Sequence, residues 1–268
     1  MNTVTVGDDS CDYKLLAHSG FDAADYDVQM SEGGATDGGY ISTSRFSSRT
    51  LDMKWDFGGK NGETARQSLI RFFSPRKELT VRATRGAVTR YIAGQTCDFA
   101  VQEKNRFARS TVNLSILCPD PYFKASDTIQ QSNTWITSAL HLPMHLPCVL
   151  GVENRTDGIE IINRGDTYAD MVAVLAANAA ATNPFILNRT NGKKISIVGT
   201  LNPNQSLIIS TVRRAKGAAI SGTRCVIAPE SRFSEFLEMG LNEIECGADT
   251  GGSQITATIE YTALFMGV

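Results

Sequence analysis

No run of apolar residues in this sequence reaches the ~18–20 that a membrane-crossing helix requires, so a helical membrane span is not expected. The first ten residues, Met1 to Ser10, are acidic and polar. They lack the basic-then-apolar order of a secretory signal, which points to a protein made and kept in a cytoplasm, or leaving it by a route that needs no signal. Charge is sparse as well: 20% of the 268 residues are Asp, Glu, Lys or Arg, with a net charge of −2. A balance so close to neutral gives no sign of a nucleic-acid or anionic-membrane partner. The six cysteines, Cys11, Cys97, Cys118, Cys148, Cys225 and Cys246, include no C-x-x-C pair and none sits at metal-ligand spacing from a histidine. Reduced thiols, several of them packed as small apolar side chains, are the expectation.

Catalytic signatures are missing too. There is no G-x-x-x-x-G-K, no G-x-G-x-x-G and no G-x-S-x-G. Histidine occurs three times, and only His141 and His145 have the four-residue spacing that could clamp a metal on a helix. Pro143 between them and Pro147 after them oppose a helix, so they read as solvated loop residues. Asp157, Glu160, Asp166 and Asp170 lie close in sequence but lack the fixed spacing of a calcium loop or an acid/base pair, and read as surface carboxylates. Trp135 and Tyr168 could each stack on a sugar ring or simply fill a core. A chain of this length without a convergent polar cluster is expected to be structural rather than an enzyme, with no cofactor and no metal.

What the sequence does have is glycine, 23 residues of it, small polar residues and a hydrophobic content of 42%. That mixture suits a mainly β protein with many turns. Leu51, Met53, Trp55 and Phe57 share one parity and predict a half-buried strand ended by Gly58-Gly59. The spacing of Ala65, Leu69, Phe72 and Phe73 predicts a helix capped at Asn61 and closed by Pro75. Leu79, Val81 and Ala83 alternate ahead of an Arg85-Gly86 turn, so Val88 to Ala93 is expected to pair back as a hairpin. Thr96 to Val101 and Ser110 to Leu117 add two strands. A polar stretch around Gln130-Gln131-Ser132-Asn133 predicts a domain boundary, giving domains 1–125 and 126–268.

In the second half, Ile159 to Asn163, Lys194 to Val198, Ser206 to Val212, Asn242 to Cys246 and Gln254 to Phe265 read as strands of a β-sandwich. Tyr168 to Ala181 is alanine-rich, which favours helix by propensity, but its place among strands favours a strand for at least its first part. Charge is uneven along the chain. Lys60 to Arg109 carries eleven basic against four acidic residues, a net +7 that leaves −9 elsewhere. These positives are either the solvent faces of strands or one half of a charge-complementary contact between copies.

The segment Ser115-Ile116-Leu117-Cys118-Pro119-Asp120-Pro121-Tyr122-Phe123 resembles the end of the N-terminal domain in the siphophage distal tail protein family, where a strand runs into a P-D-P-Y-F corner. Two prolines fix φ, Asp120 can accept a bond from the following backbone, and two aromatics can plug the corner. Arg45, Arg49 and Leu51 ahead of an alternating strand resemble that family's arginine-containing strand. Phe72-Phe73-Ser74-Pro75-Arg76-Lys77 resembles the end of its helix. In the second half, Asn183 to Asn188, Thr190-Asn191-Gly192 and Phe233 to Ile244 fall at similar spacing. The structural signature is therefore Cys118, Pro119, Asp120, Pro121, Tyr122 and Phe123.

The resemblance implies an N-terminal β-sandwich or split barrel with one helix that assembles as a homo-hexamer, and a C-terminal galectin-like β-sandwich projecting outward. It implies a structural ring at the virion tail tip, assembled in the host cytoplasm and joining the tail tube protein to the tip hub. DNA would pass through without specific binding, no membrane is involved, and such rings often anchor receptor-binding proteins or fibres. The alternative from another class is a host-glycan-binding module on the tail tip; a third, a tail-associated hydrolase, would need a carboxylate pair in a cleft.

Overall fold

The structure is a computed structural model that describes residues 12–33, 37–58, 62–102, 109–134, 158–252 and 255–268. The chain divides into two compact units, one formed by Met1–Ser126 with Phe265–Val268 and the other by Asp127–Leu264. Among the described residues no helix is long and apolar enough to cross a membrane.

The first unit contains β1 (Asp12–Ser19), β2 (Tyr26–Glu32), β3 (Gly39–Phe46), β4 (Arg49–Gly58), α1 (Gly62–Phe72), β5 (Glu78–Arg85), β6 (Val88–Gln102), β7 (Ser110–Cys118) and β8 (Phe123–Ala125). Its main sheet has seven strands in the order β1-β4-β7-β6-β8-β22, with β5 also on β6 and β22 spanning Leu264–Phe265. β6 is long enough to serve two neighbourhoods. Its first half pairs with β5, its second half with β7, and a bulge between Thr96 and Asp98 shifts the register on β7. Gly94 lies at this crossing, where a Cβ would come within 2.8 Å of the Cys118 sulfur and the Leu117 carbonyl.

The alternating strand read from sequence is β4, and Leu51, Met53, Trp55 and Phe57 are all buried. The helix is present as well. Glu63 in its first turn and Arg71 in its last suit the helix dipole. Ala65 and Leu69 face the core, and Phe73, just past the helix, places its ring between Trp55 and Phe99 at centroid distances of 5.7 and 5.6 Å. Phe72 departs from the expectation. Phe73 takes the core position, and Phe72 touches it edge-on while remaining 57% exposed. The expected cap, Asn61, lies outside the described residues. The predicted hairpin is β5–β6, turning at Gly86 with φ +62°.

The second unit is a β-sandwich built from β9 (Ile129–Thr134), β10 (Ile159–Asn163), β11 (Asp170–Ala177), β12 (Ala181–Thr182), β13 (Phe185–Asn188), β14 (Lys193–Val198), β15 (Thr200–Leu201), β16 (Ser206–Ser210), β17 (Gly217–Ile220), β18 (Thr223–Arg224), β19 (Val226–Ile227), β20 (Gly240–Gly247) and β21 (Ile255–Thr262). One sheet runs β10-β20-β13-β14-β19, the other β18-β17-β16-β11-β21-β9. Their inward residues form one apolar core, with Ile161, Ile186, Ile195 and Ile244 from the first sheet meeting Met171, Leu175, Leu207 and Ile259 from the second. The alanine-rich segment is a strand: β11 pairs with β16 on one side and β21 on the other, and buries Met171, Ala173, Leu175 and Ala177.

The strand expected from Gln254 to Phe265 is two elements. β21 ends at Thr262, and β22 takes the edge of the seven-stranded sheet. The last residues are held in the first unit by Arg90, which donates to the Gly267 carbonyl and stacks its guanidinium 3.6 Å from the Phe265 ring centroid. The Val268 N–H donates to Phe21 O at 3.0 Å.

Candidate functional site

In the first unit the corner after β7 is organised by one buried cation. β4 begins at Arg49, whose side chain points inward and is 2% exposed. Its Nε donates to Pro121 O at 2.9 Å, Nη1 to Gly20 O at 2.7 Å and Asp22 O at 2.6 Å, and Nη2 to Met266 O. Four carbonyls from three separate stretches of chain thus share one guanidinium, whose planar fork is suited to the task. The guanidinium carbon lies 4.9 Å from the centroid of the Phe123 ring. Burial pushes the Arg49 pKa below its ordinary value, while Cys118, Asp25 and Asp22 act in the opposite sense.

Of the six residues singled out from sequence, Cys118, Pro121 and Phe123 lie against this cation. Cys118 ends β7 and is fully buried, Pro119 is exposed, and Asp120 accepts a bond from the Tyr122 N–H at 3.4 Å. Pro121 supplies a carbonyl to Arg49. Phe123 stacks on Phe21 with centroids 6.2 Å apart, and Tyr122 meets Phe46 edge-on at 5.4 Å. Gly20 completes the corner with φ +81°, and a Cβ there would run into the Thr50 carbonyl. The arrangement is a positioning device: it holds the ends of β3, β4 and β7 in one place.

The other residues considered for chemistry are dispersed. His18 lies on β1 against the edge of Phe21 at 5.3 Å. Glu160 is exposed on β10, and Asp170 on β11 faces Arg213 at 3.9 Å. Tyr168 carries Lys193 Nζ over its ring at 5.4 Å. His141, His145, Trp135 and Asp157 lie outside the described residues. Among the described residues no three His, Cys, Asp or Glu side chains form a group able to hold a metal. A groove of about 600 Å³ in the second unit is lined by Gln131, Ser132, Glu160, Arg164 and Tyr261 with neighbouring aliphatics. Tyr261 is buried, and its hydroxyl donates to Ile162 O at 2.9 Å.

The second unit has a buried amide network that the sequence reading did not single out. Asn188 Nδ2 donates to Phe236 O at 2.7 Å and to Asn242 Oδ1 at 2.9 Å. Asn242 Nδ2 donates to Glu238 O and Gly240 O, and its Oδ1 accepts from the Glu238 N–H. The two asparagines are each 0% exposed. They pin the loop before β20 onto the β13–β14 turn, joining two segments that the sequence reading noted separately. The usable signal was an amide on the inward parity of a strand, Ile186 to Asn188 and Asn242 to Ile244.

Cys97, Cys118, Cys225 and Cys246 are free thiols. Burial pushes Cys118 up to about 11, with the Arg49 guanidinium pulling the other way, and pushes Cys246 up to about 12. Thiolate is the reactive form, so iodoacetamide at pH 8 is expected to modify exposed Cys97 on the native protein and to reach Cys118 and Cys246 only after unfolding. Peptide mapping reads this directly. A raised folded-state pKa also means that these two thiols favour folding below their ordinary pKa near 9, an advantage lost as pH climbs toward 11–12. Equal labelling of Cys97 and Cys246 under native conditions would contradict the packing described.

The chain combines a helix-bearing β unit with a two-sheet β-sandwich, an arrangement also found in solved structures. The solved structure described as SPP1 Dit (gp 19.1), a paradigm of hub adsorption apparatus in Gram-positive infecting phages, shares this fold with a TM-score of 0.62. The match covers 94% of this chain and 93% of that one at 14% identity. The phage P2 baseplate in its activated conformation, with Ca and with Sr, also matches, each at a TM-score of 0.48, 11% identity and coverage of 92% and 90%. No protein-family model matches the sequence, and no curated protein matches it.

Proposed function

We propose that this chain is a structural distal tail protein of a phage, six copies of which close into a ring between the tail tube and the tip hub. The observation that carries the reading is the fold shared with SPP1 Dit across nearly the full length of both chains. The P-D-P-Y-F corner from Pro119 to Phe123 supports it independently. On this reading the first unit forms the ring and the second projects from it to receive receptor-binding proteins or fibres. DNA passes through the centre. A strongly basic wall would retain phosphates, so the positive residues between Lys60 and Arg109 face neighbouring copies or the outside.

The mass of the purified full chain by light scattering, followed by negative-stain images, tests the reading. Six copies in a ring with an open centre are expected. A chain that stays monomeric and binds host cell-wall glycans on an array would replace it with the glycan-binding alternative.

A further inference from the structure

β22 adds only two residues to the seven-stranded sheet, yet residues 265–268 are tied to the first unit at every position. Three arginines from three strands donate to three successive carbonyls. Arg49 at the start of β4 reaches Met266 O, Arg90 on β6 reaches Gly267 O, and Arg85 at the end of β5 reaches Val268 O at 3.2 Å. The Arg90 guanidinium also lies 3.6 Å from the Phe265 ring centroid, and the Val268 N–H donates to Phe21 O at 3.0 Å.

Gly267 is the point where backbone meets backbone. A Cβ there would come within 2.8 Å of the Asp22 carbonyl oxygen and 3.2 Å of the Phe21 one. The position needs glycine for space rather than for an unusual φ. Arginine donors on one side and a side-chain-free contact on the other make a cleft shaped to a short stretch of backbone.

The cleft outlasts its occupant. β22 stands last in the order β1-β4-β7-β6-β8-β22, so its departure breaks no pairing between other strands. Residues 265–268 are all half-buried and none is sealed in the core. Without them Arg49 still holds Pro121 O, Gly20 O and Asp22 O. Arg90 fares differently, because its hydrogen bond and its ring contact are both made to this segment and its Nε is buried without a partner. An emptied cleft therefore leaves a desolvated cation unpaired, which favours the return of the segment.

The docked segment acts on the turn between β1 and β2. Arg49 grips the Gly20 and Asp22 carbonyls from one side, and Gly267 and Val268 press on Asp22 and Phe21 from the other. β2 leaves this turn to form, with β3, a two-stranded sheet outside the main one. Surfaces already held in one conformation associate more tightly, since less ordering remains to be done on contact.

We propose, on the ring reading above, that residues 265–268 form a detachable strap whose docking on Arg49, Arg85 and Arg90 sets the β1–β2 turn and makes the first unit competent to assemble. The second unit lies between Ser126 and Phe265, so the strap reaches its cleft only after the sandwich has been made. Assembly is thereby restricted to copies that carry both units.

The test uses the full chain with Gly267→Ala, which crowds the Asp22 carbonyl and leaves every arginine in place, beside a variant lacking residues 265–268. Hydrogen exchange read by mass spectrometry should quicken at least tenfold over residues 20–26 in both variants, and over 265–268 in Gly267→Ala. Exchange across β4 and β7 should keep the parent's rates. Light scattering over a dilution series should show that Gly267→Ala needs at least tenfold more protein for half-assembly. Unchanged exchange at residues 20–26 in both variants overturns the strap, and so does a uniform acceleration across the first unit, which would make these residues ordinary core. Local acceleration with assembly at the parent's concentration overturns the gating and leaves the ring reading standing. A parent chain that stays monomeric overturns the ring reading and the gating together, and exchange at residues 20–26 still decides whether the segment detaches on its own.

Discussion

Replacing Arg49 by methionine is expected to lower the stability of the first unit by about 3–4 kcal/mol, the range for breaking a buried hydrogen-bond network. Methionine fills most of the arginine's volume, so the loss isolates hydrogen bonding from packing. The carbonyls of Pro121, Gly20, Asp22 and Met266 all lose their donor, and the Pro121 bond lies where water does not reach. Arg49→Lys should recover only part of the loss. An ammonium offers three donors from a single point, whereas the native fork reaches carbonyls spread from residue 20 to residue 266. Urea unfolding followed by Trp55 fluorescence reads the first unit alone once Trp135, the other tryptophan, is changed to phenylalanine. The midpoint should fall with the slope unchanged. A methionine variant within about 0.5 kcal/mol of the parent, the scatter of ordinary surface substitutions, would show that the corner holds without its cation.

The same corner shows what the sequence could and could not convey. Its aromatic and proline residues were visible as a local motif, because turn chemistry is written in neighbouring residues. The cation at its centre was visible only as part of a strand. Nothing local distinguishes an arginine buried under four carbonyls from one that faces solvent. Strands with clean alternation, such as β4 and β21, were legible because one face is buried and the other is not. β11 was ambiguous for the opposite reason: it lies between two neighbouring strands, and Val172, Val174 and Ala176 on its second face are apolar too.

β2 and β3 were harder still. Val28, Met30, Tyr40 and Ile41 are more than half exposed, and the bulge at Met30 breaks the parity that a period-2 reading depends on. The return of Phe265 to Val268 to the first unit was invisible. The alternation of β21 runs up to it, and only a partner 177 residues away, Arg90 against Gly267, marks the change of neighbourhood.

In the second unit, Asn242→Leu is expected to cost about 2–3 kcal/mol, again because buried polar groups are stranded rather than because volume is lost. The substitution removes the donor to Glu238 O and Gly240 O and the acceptor for the Glu238 N–H. Asn188 keeps Phe236 O as a partner, so the damage should centre on the loop before β20. Hydrogen exchange of peptides covering 234–247 should accelerate far more than exchange across β4 or β7.

Asn242→Asp separates the acceptor role from the donor role. An introduced carboxylate can still accept from the Glu238 N–H and from Asn188, but it faces the Glu238 and Gly240 carbonyls with no proton to give. Burial and those two carbonyls both favour the protonated acid, so its folded pKa must rise above the ordinary value near 3.9. The folded state then holds a proton that the unfolded chain gives up. The penalty is therefore full at neutral pH and shrinks as pH falls through the raised pKa, where the acid can donate to one of the carbonyls. Asn242→Leu has no such group and should show the same deficit relative to the parent at pH 4.5 and pH 7. Parallel deficits for the two substitutions at both pH values would mean that the Asn242 side chain acts through its shape and not through its donors.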